Sequence, residues 1–343
     1  MTYVIVHELT VENRGGEPYD LKDLSLEMAL NTTTQRSRVV NCTPGLYWQL
    51  DAEGNPYASF AETAIQPGHS FTAMLAMEVV VTVPRSQSDV EPEAISMIPG
   101  ELVERYCGEG GPFLVNDPEL QSLARGIRER VGSDDVLKIV LALVDWIDGN
   151  VRYKTHTPPL YPNEVLRMGS GDCDEKANLL ISLCRILGIP ARLQAGLVVE
   201  GNMTIYDLNG HYRSEGLAGH AWAIVYVPPW GWTPVDLTYY RASGDPISHI
   251  TASAWFLGLV IQTANIANTD YIVDSKRWAD GLYERDIYEV DRYGLTTLRS
   301  ETHTGYPVNF VIGVVFACIG ITTTASAAAY RRRTGGSQNK ERM

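Results

Sequence analysis

Residues 173–187, which run Cys-Asp-Glu-Lys-Ala-Asn-Leu-Leu-Ile-Ser-Leu-Cys-Arg-Ile-Leu, constrain the fold more than any other stretch of this chain. On a helix, Ala177, Leu180, Ile181, Cys184 and Leu187 share one face, while Leu179, Leu183 and Ile186 cover another. A helix that is apolar nearly all round has to be buried, so other layers must enclose it. Gly188-Ile-Pro190 ends it. Ahead of it, the flexible run Gly169-Ser-Gly-Asp172 delivers Cys173 to the first turn. A helix N-terminus carries unpaired N–H groups and about half a positive charge. Both favour the thiolate, which is the nucleophilic form of cysteine. Cys184 lies three turns further on, about 16 Å away at 1.5 Å per residue. It cannot pair with Cys173 on a straight helix and reads as core.

The rest of the chain divides by pattern. Residues 1–83 read as β: Leu24, Leu26, Met28 and Leu30 alternate, as do Phe71, Ala73, Leu75, Met77, Val79, Val81 and Val83. Period two means one buried face. Turn signals at Asn13-Arg-Gly-Gly16, Thr43-Pro-Gly45, Gly54-Asn-Pro56 and Gln66-Pro-Gly68 space the strands as in a small β-sandwich. Residues 84–100, rich in Pro, Ser and acids, read as a linker to a second domain over 101–300.

Asp117-Pro118 starts a helix whose apolar face is Leu120, Leu123, Ala124, Ile127 and Val131. Ser133 or Asp134 is expected to cap the next, with Val136, Ile139, Val140, Leu143, Val144 and Ile147 at helical spacing. After Pro190 the pattern returns to strands over 191–199, 218–227 and about 232–236, with the polar stretch 200–215 read as a surface loop. The apolar run 252–261 is too short to span a bilayer.

Val308–Tyr330 is different: 23 residues without a charge, followed at once by Arg331-Arg-Arg333 at the head of the basic tail 331–343. At 1.5 Å per residue it covers about 34 Å, enough for a single-pass transmembrane helix. The positive-inside rule then puts the tail in the cytoplasm and the body outside the cell membrane. The start, Met1-Thr-Tyr-Val-Ile-Val-His-Glu8, has no basic n-region and no adequate apolar stretch. The outside orientation therefore expects a leader ahead of Met1; the alternative is a tail anchor with a cytoplasmic body. Sequons at Asn31, Asn41 and Asn202 are compatible with the outside location.

Formal net charge is −13; the tail holds five of the 28 basic and one of the 41 acidic residues, which leaves −17 on the rest. Such a body argues against nucleic acid, whose binding is dominated by cationic contacts to phosphate. Five cysteines without a C-x-x-C pair argue against structural zinc, although Cys42 and Cys107 are free to pair in an oxidising compartment. His7, His69, His156, His211, His249 and His303 show no metal spacing and read as structural or surface residues, and no Gly-rich loop matches a nucleotide site. No cofactor is expected.

A thiol nucleophile needs a base, and the base needs an orienting acceptor. His220 stands in a strand 47 residues after Cys173, and Asp236 follows 16 residues later at the next strand. Adjacent strands packed against the helix bring such side chains over its N-terminus. The Cys173 N–H is an oxyanion donor in that arrangement, with Tyr153 or Tyr161 as a candidate second donor. Trp222, Trp230 and Trp232 read as core or as lining of an acyl cleft. Asp172, Asp174 and Glu175 oppose the thiolate, because negative neighbours raise a cysteine pKa.

The wording around these residues adds to their spacing. Gly171-Asp-Cys-Asp-Glu-Lys-Ala177, Leu187-Gly-Ile-Pro-Ala-Arg192, Gly219-His-Ala-Trp222 and Gly231-Trp-Thr-Pro-Val-Asp236 resemble the transglutaminase-like superfamily, as does Val144-Asp-Trp-Ile-Asp-Gly-Asn-Val-Arg-Tyr153 upstream. The resemblance spans about residues 117–240, and the preceding β-domain and terminal anchor look like those of prokaryotic, archaeal-type members. It implies an α+β fold with a papain-like core, helices packed on an antiparallel sheet, and a catalytic triad of Cys173, His220 and Asp236. It further implies a cysteine enzyme that attacks protein or peptide amides through a thioester, as hydrolase or acyltransferase, with hydrolysis preferred here. The alternative is a non-catalytic, membrane-anchored surface protein that binds a partner.

Overall fold

The computed structural model describes residues 1–82, 91–238 and 259–299. Its spine is one eight-stranded sheet. We label the strands β1 (Thr2–Asn13), β2 (Gln35–Cys42), β3 (Ser70–Val81), β4 (Ala191–Asp207), β5 (Tyr212–Val227), β6 (Gly231–Val235), β7 (Val260–Ile266) and β8 (Ile287–Arg299). Their order is β7-β4-β5-β8-β1-β3-β2, with β6 beside the end of β5. Every pair is antiparallel except β5 with β8, which run parallel from Tyr212 opposite Glu289 to Glu215 opposite Arg292.

The N-terminal strands are therefore not the separate β-sandwich expected of residues 1–83. β1, β3 and β2 continue the sheet that holds β5, because β8 hydrogen-bonds to β1 on one side and β5 on the other. A second β layer does exist: Leu26–Glu27, Pro56–Phe60 and Leu46–Leu50 form a three-stranded sheet. Leu26 and Ala58 of that layer share a core with Tyr3, Ile5, Leu75 and Val79. The alternation at Leu24–Leu30 is mostly turn and loop, with only Leu26–Glu27 paired. In β3 the alternation holds, and Ala73, Leu75, Met77, Val79 and Val81 are all buried.

The helices are α1 (Gly100–Tyr106), α2 (Pro118–Val131), α3 (Val136–Asn150), α4 (Pro162–Met168), α5 (Cys173–Ile186) and α6 (Tyr271–Glu284). Asp117 caps α2, accepting from the Glu119 and Leu120 N–H groups. α3 is capped by Asp135 rather than Ser133 or Asp134: its side chain accepts from the Lys138 N–H, while Asp134 pairs with Arg128 at 2.6 Å. Of the expected linker, residues 91–98 are tied to the core, since Glu93 donates to the Pro228 carbonyl and accepts from the Val136 N–H. The expected loop 200–215 is mainly an extension of the β4–β5 hairpin, closed by a short turn at Leu208–Gly210. Its far end lies within the sheet, since Tyr212–Glu215 pair with β8 and Tyr212 and Ser214 are buried.

All of α5 except Ile186 is buried, in the core formed by α2, α3 and the strands β4 and β5. Burial of Arg185 is made tolerable by three carbonyl acceptors, Ala191, Gly108 and Ala267, at 2.8–2.9 Å. α6 joins the two cores: Tyr271 and Ile272 pack with α5, and Trp278, Ala279 and Leu282 pack with the N-terminal strands. Cys42 and Cys107 are both free thiols, and Cys184 is core. Among the described residues no helix is long and apolar enough to cross a membrane; the expected span 308–330 and tail 331–343 lie outside them.

Candidate active site

Cys173 is the first residue of α5, and the turn before it is built from backbone constraints. Gly169 caps α4 in the left-handed region at φ 59°. Ser170–Gly171 then pair in parallel with Arg152–Tyr153. A Cβ on Gly171 would lie 3.0 Å from the Cβ of Glu175, so the close pass at this point favours glycine. Glu175 ties the start of the helix together: one carboxylate oxygen accepts from the Asp172 N–H and the other from the Leu160 N–H, both at 2.7 Å.

His220 lies mid-strand in β5, directly across from Gly196 of β4. A Cβ at Gly196 would come within 2.0 Å of the Ile261 carbonyl oxygen, so β4 and β7 pack tightly there because that residue is glycine. Asp236 follows the last residue of β6. Its Oδ2 is 2.7 Å from His220 Nε2, and its Oδ1 accepts from the Thr238 N–H at 2.8 Å. The Cys173 side chain is hydrogen-bonded to His220. With Nε2 engaged by Asp236, the ring nitrogen left for the thiol is Nδ1. All three residues are almost fully buried.

The three predicted residues are thus brought together in hydrogen-bond order. Burial alone would push the His220 pKa down, but the Asp236 carboxylate and the Cys173 sulfur outweigh it and raise it to about 10. At neutral pH the ring is an imidazolium flanked by a carboxylate and a thiol. That arrangement favours a thiolate–imidazolium pair.

The acids that opposed the thiolate in sequence are buried too. Burial and the neighbouring Asp174 hold the Asp172 carboxyl well above its usual range. Burial likewise pushes Glu175 up to about 8. Both changes reduce the negative charge beside the sulfur at neutral pH. Asp174 accepts at 2.7 Å from the Tyr271 hydroxyl, which in turn accepts from Asn178 Nδ2 at 2.5 Å.

Neither suggested second oxyanion donor is established by this geometry. The Tyr161 hydroxyl donates to Asp270 at 2.9 Å, and Tyr153 lies in the short strand beside Gly171. Of the tryptophans, Trp222 is fully buried with its ring 5.5 Å from that of His220, and its Nε1 donates to Gln194. Trp232 packs on Tyr106 and Tyr226, and Trp230 packs against the helical core. Tyr271, Asn178 and Asp270 were not singled out from sequence. Tyr271 stands 98 positions after Cys173, and nothing local marks it.

The sequence of this region matches the core pattern of the transglutaminase-like superfamily over residues 121–237. Residues 121–237 are a transglutaminase-like domain. Cys173, His220 and Asp236 all fall inside it, whereas α6 and its Tyr271 lie beyond its end. Among solved structures, a candidate cysteine protease from Cytophaga hutchinsonii is similar over 88% of this chain and 92% of its own, at 17% identity and a TM-score of 0.54. That likeness concerns the fold. Two further similar structures are the periplasmic domain of TgpA from Pseudomonas aeruginosa (18% identity, 65% of this chain and 93% of that one, TM-score 0.33) and red sea bream transglutaminase (10% identity, 81% and 60%, TM-score 0.35). No curated protein matches the chain.

Proposed function

We propose that the transglutaminase-like domain is a cysteine enzyme that attacks protein or peptide amides, with Cys173 as nucleophile, His220 as acid and base, and Asp236 as its orienter. The observation that carries this reading is the buried hydrogen-bonded line from Cys173 through His220 to Asp236 at the start of α5. The thiolate adds to the amide carbonyl carbon, and the oxyanion takes a hydrogen bond from the Cys173 N–H at the positive end of the helix. As the C–N bond breaks, His220 gives its proton to the leaving amine, and a thioester remains on Cys173. Neutral His220 then removes a proton from water, whose oxygen attacks the thioester and releases the acid and the thiolate.

Hydrolysis is preferred to amine transfer because water is always available and a transferase must exclude it. The cysteine-protease description of the Cytophaga hutchinsonii structure points the same way. Incubation with glutamine peptides, with and without an added primary amine, tests this. Ammonia or peptide release without amine incorporation is expected, and incorporation of the amine would assign a transferase instead. Iodoacetamide labelling tests the reading as a whole: Cys173 should react faster than Cys42. Equal rates, with full function in Cys173→Ser, would leave the non-catalytic surface protein as the better account.

The charge-free run 308–330 and the arginines after it are the basis for placing the enzyme on a membrane, body outside. Protease digestion of intact cells should remove the body and spare the tail.

A further inference from the structure

The Asp172–Cys173–Asp174 sequence sets two carboxyl groups on either side of the nucleophile. An oxygen of each acid and the Cys173 sulfur all lie within 4.8 Å of one another, and all three residues are buried. Like charges this close and this buried oppose each other strongly, so one of the pair keeps its proton.

Geometry says which. Asp174 is served as an anion, since its Oδ2 accepts from the Tyr271 hydroxyl, itself buried and supported by Asn178. Asp172 is served less: its side chain faces the Glu175 N–H in the capping box, but its Oδ1 is buried with no hydrogen-bond partner among the described residues. An unpartnered oxygen is tolerable on a neutral acid and costly on a carboxylate. Burial and the Asp174 charge act in the same direction on Asp172.

We propose that Asp172 and Asp174 hold one proton between them, and that this singly charged pair, braced by Tyr271 from α6, is a positioning device for the Cys173 thiolate. It rests on the reading of Cys173 as the nucleophile. Two anions beside the sulfur would oppose the thiolate strongly, whereas one is offset by the His220 imidazolium. The pair also fixes the first turn of α5, on which the sulfur stands. Other titratable groups on the elements around it are Glu175 and Lys176 on α5, Glu164 on α4, Asp270 and Asp274 on α6, and His220 with Asp236 from the sheet.

The test is the pH dependence of Cys173 alkylation by iodoacetamide in the full chain, followed by peptide mass spectrometry. Asp172→Asn alone leaves Asp174 to carry the one charge, so it should move the midpoint by less than about half a pH unit. The double variant removes the charge and should lower the midpoint by about one unit or more. A fall that large in Asp172→Asn alone would mean that Asp172 is ionised in the native protein. An unmoved midpoint in the double variant would mean that the pair does not act on the sulfur. Either result overturns the proposal. A melting curve identifies a variant that fails to fold. In that case Asp172→Ser, which keeps a hydroxyl donor for Asp174, replaces Asp172→Asn with the same expected results. If native Cys173 proves no faster than Cys42, the proposed function fails, while the midpoint comparison still decides the charge of the pair.

Discussion

Two buried histidine–aspartate pairs stand in this molecule at the same distance, with different surroundings. His220 Nε2 meets Asp236 at 2.7 Å, and His7 Nε2 meets Asp291 at 2.7 Å. The first pair spans neighbouring strands beside the start of α5 and has Cys173 on its other ring nitrogen. The second spans β1 and β8 under the N-terminal layer. His7 stacks on Tyr293 at 4.3 Å, and Asp291 also accepts from the Tyr212 hydroxyl. Around it, burial holds Glu27 well above the usual carboxylate range and pushes Glu289 up to about 8. The difference teaches that a buried His–Asp pair is not by itself a site. One of them has a thiol at a helix start on its other ring nitrogen, while the other joins strands 284 positions apart.

The largest effect that could break this contrast is on Cys173 reactivity. His220→Ala should lower its alkylation rate at neutral pH by about 100-fold or more, since general-base partners contribute on that order. His7→Ala should leave that rate within about twofold. If both substitutions slow alkylation alike, the two pairs are not functionally distinct.

Stability should respond in the opposite sense. Removing His7 leaves Asp291 buried with one partner fewer, and breaking a buried pair costs about 3 kcal/mol. Urea unfolding of His7→Ala measures this, and a loss under about 1 kcal/mol would deny the second pair a structural role.

Next in size is the histidine titration. Asp236 is the main cause that raises the His220 pKa against its burial. Asp236→Asn should therefore lower the pH at which the His220 ring titrates, followed by NMR, by about one unit or more. No change would place the charge support elsewhere.

The smallest expected effect is a slope. Glu289 has a folded pKa of about 8 against an ordinary 4.5, so between those values the folded chain keeps a proton that the unfolded chain has lost. Stability from this group is complete below the unfolded value and is lost as pH rises through the folded one. Glu289→Gln should flatten the fall in melting temperature between those pH values. An unchanged slope would mean that Glu289 is already ionised in the fold.

Much of the site was legible because its signals are local. A buried helix announces itself by apolar residues on every side, and a nucleophile at its start by the short residues before it. The strands carrying His220 and the segment ending at Asp236 were readable from their alternation and turns. The membership of 200–215 in a hairpin was not, because a polar stretch with glycines and asparagines looks like loop whatever it pairs with. Nor was the continuity of the N-terminal strands with the sheet that carries His220: β8 makes it, and pairing partners leave no mark on a strand's own sequence.

Sequence alone determined the buried helix, the cysteine at its first turn, and the order of histidine and aspartate after it, because these depend on periodicity and neighbouring residues. Tertiary structure alone decided the charge of that setting. Whether Asp172, Asp174 and Glu175 oppose the thiolate depends on burial and on donors from distant segments, such as the Tyr271 hydroxyl on α6. Proximity in space and exclusion of water set those protonation states, and neither is a property of residues read in order.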